Sequence, residues 1–252
     1  MFIRNETFSS FIRNYPIITT IVVIHFILFL WINATLFTNG LFPFGDKILM
    51  YGVGQTGQIE AGEYWRLVTP IFLHQGTGHV LFNSISLILF GPALERMLGK
   101  GKFLLAYVAI GTLANIATTI LTGTFYTHLG ASGAIFGLFG IYLYMVWKRK
   151  DLIDWASAQM ITVILVLGVV MTFIRPNINI AAHIFGLLFG FLFASPLLRH
   201  ARPFYAIPND NEIRFQPNRW KRRRFFSSEK LFRWIGWVFI MLVIIGILSR
   251  LF

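Results

Sequence analysis

The sequence predicts an all-α polytopic membrane protein, and three observations lead there. Hydrophobic residues fill 56% of its 252 positions and charged residues only 13%, far too apolar a balance for a soluble domain of this size. The apolar residues gather into seven runs, most of them near the length of about 20 residues that carries a helix across a bilayer. The basic residues concentrate on alternate connections, as they do in chains threaded through a membrane. The mean hydropathy of +0.67 agrees.

In chain order the segments are 15–37, 79–98, 103–122, 132–147, 157–174, 180–198 and 231–251. The first follows MFIRNETFSSFIRN and continues to Phe37 with no small-residue cleavage site, so it reads as a retained helix and not as a signal peptide. The connection 38–78 is long and Gly-rich, with amphipathic character around TGQIEAGEYWRLV at 56–68. It reads as a structured interfacial loop. Connections 99–102 and 148–156 are short and carry Lys100, Lys102, Lys148, Arg149 and Lys150. Four regions result: a cytoplasmic N-terminal segment 1–14, a core 15–198, a basic cytoplasmic linker 199–230 and an additional transmembrane helix 231–252.

With the N-terminus in the cytoplasm, only Lys47, Arg66, Arg175 and Arg250 fall outside, leaving 18 of 22 basic residues inside. Positive-inside bias then sets the N-terminus in and the C-terminus out, most simply across a cell membrane. The net charge of +12 raises the question of nucleic acid, but the run RWKRRR at 219–224 lies between two apolar segments. There it reads as a juxtamembrane anchor. With no cysteine, disulfides and thiol chemistry are excluded.

Three short stretches place polar side chains where they are costly, and each is therefore a functional candidate. In HLGASGAIFGLFG, Ser132 opens the fourth segment between Gly130 and Gly133. Free N–H groups at a helix start favour developing negative charge there. A serine cap among small packing residues would look the same. The segment is short: 16 residues from Ser132 to Trp147 make about 24 Å of helix against a hydrocarbon core of about 30 Å. The serine then lies below the outer surface, where irregular backbone survives only inside protein or beside a water-filled cavity.

In AHIFGLLFG, His183 stands three and seven residues before Gly186 and Gly190. These glycines match Gly133, Gly137 and Gly140, so the two helices can approach closely and bring His183 to Ser132. Alone, the histidine could equally be a packing residue, a proton relay or a metal ligand. In HQGTGHVLFN, His79 and Asn83 share a helical face and both can donate hydrogen bonds to an oxyanion. His74, in the entry turn, reads as a structural interfacial histidine.

The chain has ten carboxylates and none in segments four or six; the nearest, Asp151 and Asp154, lie at the inner end. The chemistry on offer is a Ser-His dyad without an acid, His183 acting as base toward Ser132 and then as acid toward a leaving amine. A zinc site is disfavoured, since His74, His79 and His183 have no H-E-x-x-H motif or carboxylate companion. No metal or cofactor is expected.

With these residues in place, the sequence resembles the rhomboid family of intramembrane serine proteases over roughly 15–198. The resemblance rests on His74, His79 and Asn83, on Gly130, Ser132 and Gly133, and on Ala182, His183, Gly186 and Gly190. Trp65, Arg66 and Glu95 also fit the pattern. It implies a six-helix core that cuts transmembrane protein substrates in or near the bilayer, with Ser132 as nucleophile and His183 as base. His79, Asn83 and the Ser132 N–H would hold the oxyanion. Many relatives carry a tyrosine that stacks on the histidine, where this chain has Phe136. The seventh segment is an addition to that core. Two other readings compete: a non-catalytic rhomboid-like protein that binds membrane clients, and a transporter or proton channel.

Overall fold

The computed structural model describes residues 1–2, 4–37 and 43–204. Helices α1 (Phe8–Asn14) and α2 (Pro16–Phe37) lead into α3 (Gly45–Gly52), strand β1 (Gly54–Gln55) and α4 (Thr56–Glu60). Two 3₁₀ turns, Tyr64–Leu67 and Thr69–Phe72, precede α5 (Thr77–Leu98) and α6 (Lys100–Leu121). Strand β2 (Thr127–His128), α7 (Ser132–Lys148), α8 (Trp155–Ile174) and α9 (Ile180–Leu197) complete the described chain. The six segments expected between 15 and 198 are all helices, with ends displaced by only a few residues. The linker 199–230 beyond Phe204, and the seventh segment, lie outside the described residues.

Two regions are more built than the sequence suggested. The N-terminal segment forms α1 and sends Phe2 into the core, edge-on to Phe90 and Tyr142 at 5.0 and 5.2 Å. The loop before α5 is a compact unit of short elements, with β1 paired antiparallel to β2.

Among the described residues five helices are long and apolar enough to cross a membrane, and α7 is a shorter apolar helix. Its 17 residues reach about 26 Å at 1.5 Å each. Every residue from Gly133 to Tyr142 is buried, so α7 runs through the middle of the bundle with protein on all sides. By contrast α2 exposes Val23, Ile27 and Leu30, and α8 exposes Val163 and Leu167, apolar faces suited to lipid.

Close packing of α7 on α9 follows from their glycines. A Cβ at Gly186 would collide with the Gly133 carbonyl, and one at Gly190 with the Gly137 carbonyl. One at Gly140 would strike the Leu187 carbonyl. Backbone therefore touches backbone along the seam, the contact that small residues at four-residue spacing permit.

Backbone groups freed at helix ends and kinks find specific partners. Glu95 is buried and accepts from the N–H groups of Ile17 and Ile18 at 3.0 and 2.9 Å, capping α2 from α5. Pro92 lies inside α5 and cannot donate to the Ile88 carbonyl. Arg4 takes its place, donating to Ile88 O at 2.7 Å and to Leu89 O at 3.1 Å. Tyr142 donates to Phe90 O at 2.6 Å.

Candidate active site

The turn leading into α7 is fastened residue by residue. His128 pairs with Gly54 across β1 and β2, and its ring fills the space that a side chain on Gly54 would need. Burial pushes the His128 ring down to about 4, so it carries no charge into the loop. The Gly130 N–H donates to Pro70 O at 2.8 Å. The Ala131 N–H donates to His74 Nε2 at 3.4 Å. Three successive anchors thus come from the folded loop before α5, and they set the backbone immediately before Ser132.

His74 is fully buried within the protein, with its ring 4.4 Å from that of His25 and 5.1 Å from that of His79. Burial, reinforced by the neighbouring His25 and His79 rings, pushes its pKa down to about 2. A neutral ring keeps the lone pair that accepts the Ala131 N–H. His25, a histidine inside the first apolar run, was given no role by the sequence, yet it is buried against this ring.

Gly130 has φ +123°, a conformation that side-chain-bearing residues rarely adopt. A methyl group here would sit 2.5 Å from His79 Nε2 and 3.7 Å from Asn83 Nδ2. The two donors of α5 therefore close on the Gly130 turn, two residues before Ser132. Asn83 is buried, and its Nδ2 has no hydrogen-bond partner among the described residues. An unspent buried donor is costly unless something arrives to accept from it.

Ser132 is the first residue of α7 and not its cap; Ala131 holds that position with no side-chain hydrogen bond. The first N–H groups of the helix therefore remain available. Across the seam, Gly133 packs against Ala182, and His183 follows at the fourth position of α9. The Phe136 ring stacks on the His183 ring at 4.1 Å and 16°. Asn179 caps α9 by accepting from the Ala182 N–H at 2.9 Å, and its Oδ1 also accepts from Thr118 of α6 at 3.1 Å. That cap fixes how far into α9 the histidine lies.

The remaining candidates lie away from the serine. Arg66 is buried in the loop, donating to Glu63 at 2.5 Å and to the carbonyls of Met50 and Val53 at 2.8 and 2.9 Å. Trp65 is half exposed and donates from Nε1 to Tyr51 O at 3.1 Å. Both fasten α3 to the first 3₁₀ turn. Glu95 caps α2 at the other end of α5, and Gly190 serves the seam.

Fold and site together define a multi-pass helical membrane protein with a serine and a histidine on its two most closely packed helices. The family model described as the Rhomboid domain matches residues 61–200, more than half of the chain. The chain is 48% identical over 192 residues to the rhomboid-family protein YdcA of Bacillus subtilis, covering 76% of this chain and 94% of that one. It is 38% identical over 152 residues to the rhomboid protease GluP of the same organism, spanning 60% of this chain and 30% of GluP. With RHOMBOID-like protein 9, chloroplastic, of Arabidopsis thaliana it shares 33% over 158 residues, 60% of this chain and 36% of the relative. The chain belongs to the rhomboid family.

Proposed function

We propose that this protein is an intramembrane serine endopeptidase that hydrolyses peptide bonds in or near transmembrane segments of other membrane proteins. Support comes from relatives named as rhomboid proteases. The observation that carries the reading is the setting of Ser132. It opens a helix walled in by protein, its neighbour Gly133 packs against Ala182 just before His183, and two donors gather at Gly130.

In this mechanism His183 takes the proton of Ser132 as Oγ attacks the scissile carbonyl, and later returns it to the leaving amine. His79, Asn83 and the Ser132 N–H receive the charge that develops on the carbonyl oxygen. Phe136 keeps the imidazole plane parallel to its own ring. The test is labelling by a fluorophosphonate in detergent together with cleavage of a model transmembrane substrate. A chain that neither reacts at Ser132 nor cuts would return the reading to a client-binding protein.

Loss of one oxyanion donor costs roughly 10²- to 10³-fold in turnover where geometry is good. Asn83→Ala and His79→Ala are therefore expected to lower kcat by that order while labelling of Ser132 persists. Parental rates in both variants would remove them from the oxyanion site.

The orientation we propose sets the N-terminus in the cytoplasm and the loop before α5 outside, in a cell membrane, with 231–252 as a further span that ends outside. Glu60 and Lys150 are exposed on opposite sides of that scheme, and the parent has no cysteine. Glu60→Cys should react with an impermeant thiol reagent added outside intact cells, and Lys150→Cys only after lysis. The reverse pattern would invert the topology.

A further inference from the structure

His183 can act as base toward Ser132 only if the ring nitrogen facing the serine carries a lone pair. In a neutral imidazole the proton must then sit on the other nitrogen. Catalytic histidines elsewhere are often held in that state by a carboxylate. Neither α7 nor α9 contains one.

Helix α8 supplies an uncharged substitute. Thr172 is buried, and its Oγ1 lies 2.8 Å from His183 Nδ1. The same oxygen lies 2.7 Å from the Gly168 carbonyl, one turn back in α8. A carbonyl has no proton to give, so the hydroxyl donates to Gly168, and its lone pairs are left to accept from Nδ1–H. The opposite assignment would leave two oxygens 2.7 Å apart with no proton between them, which is repulsive. Both contacts are satisfied together only when Nδ1 is protonated, which in the neutral ring leaves Nε2 free.

We infer that Thr172 is a positioning residue that holds His183 in the Nδ1–H tautomer. This rests on the protease reading for its catalytic meaning, but not for the tautomer itself. The same turn of α8 closes the back of the ring stack, since a Cβ on Gly168 would meet Phe136 Cζ at 3.3 Å. Serine on α7, base on α9 and the acceptor that sets the base on α8 make the dyad a three-helix construction. When Nε2 takes the serine proton, Nδ1–H keeps its acceptor, so the imidazolium forms without a change of partner.

The experiment combines ¹⁵N spectra of histidine-labelled protein with kinetics. The chain has six histidines, and a His183→Gln spectrum assigns the resonances of interest. In the parent, His183 is expected to show Nδ1 protonated and Nε2 unprotonated. Thr172→Val, close in shape but without an acceptor, should shift the ring toward Nε2–H, and Thr172→Ser should restore the parental pattern. Loss of one hydrogen bond at a buried donor corresponds to a fall in kcat of about 10- to 100-fold for Thr172→Val. KM should change little, and Thr172→Ser should stay within a few-fold of the parent. An Nε2–H tautomer in the parent would overturn the inference without any Thr172 variant having to fold. A folded Thr172→Val with parental kcat would overturn it as well. If Ser132→Ala cleaved as fast as the parent, the protease reading would fall instead, whatever the tautomer.

Discussion

Replacing Ser132 with alanine, or His183 with alanine, is expected to lower cleavage of a transmembrane substrate roughly 10⁴-fold or more, and the double variant no further. Residues that act as a unit lose nearly everything when either is removed, so their effects do not add. Ser132→Ala should insert and unfold as the parent does, whereas His183→Ala removes a buried ring stacked on Phe136 and should also lower the unfolding temperature. Initial rates in liposomes, with unfolding followed in detergent, check this. Additive losses, or appreciable turnover by Ser132→Ala, would show that the serine and the histidine do not share one reaction.

Gly186→Leu should be the most damaging substitution outside the dyad. The atom facing Gly186 is the Gly133 carbonyl oxygen, and backbone cannot swing aside as a side chain can. Overpacking of a tight core costs about 1–3 kcal/mol or more, and here the least yielding kind of neighbour puts the cost at the upper end. Any molecules that still fold would have α9 pushed off α7, separating His183 from Ser132. Gly133→Ala offers a graded comparison, because its added methyl would face Ala114 and Ala182 side chains at 3.3 Å. We expect a large fall in unfolding temperature and loss of fluorophosphonate labelling for Gly186→Leu, and milder changes for Gly133→Ala. Equal behaviour of the two would mean that the seam is not held by backbone contact.

The helices were legible because a bilayer imposes a length and a composition that the sequence must meet. The glycine seam was legible for a related reason: Gly186 and Gly190 repeat at the spacing that lays them on one face. What stayed hidden depends on partners brought together by the fold. Thr172 is one of many threonines in apolar helices, and such hydroxyls commonly bond to the carbonyl four residues back. Nothing in the sequence distinguishes the one whose lone pairs also meet a histidine eleven residues away. Asn179 was not singled out before α9, and its link to Thr118 crosses 61 residues. Arg4 and Pro92 are unremarkable separately, and their relation exists only once the N-terminal segment has folded along α5. His25 carried a readable sign, a histidine in an apolar run, but no second motif pointed to it. His74 was placed in the entry turn, but its burial against His25 and His79 depends on a loop folding over its own histidines, which is not visible in spacing.

The protein wall around α7 also separates the proposed reaction centre from the thickness of the membrane. A bilayer too thick or too thin for a span is accommodated by tilt, and that load falls on helices whose sides touch lipid. In this molecule those are chiefly α2 and α8, whereas α7 offers lipid almost no surface between Gly133 and Tyr142. Acyl-chain length should therefore act on Ser132 only indirectly, and on His183 through α9, which exposes Leu188 and Leu192, and through Thr172 of α8.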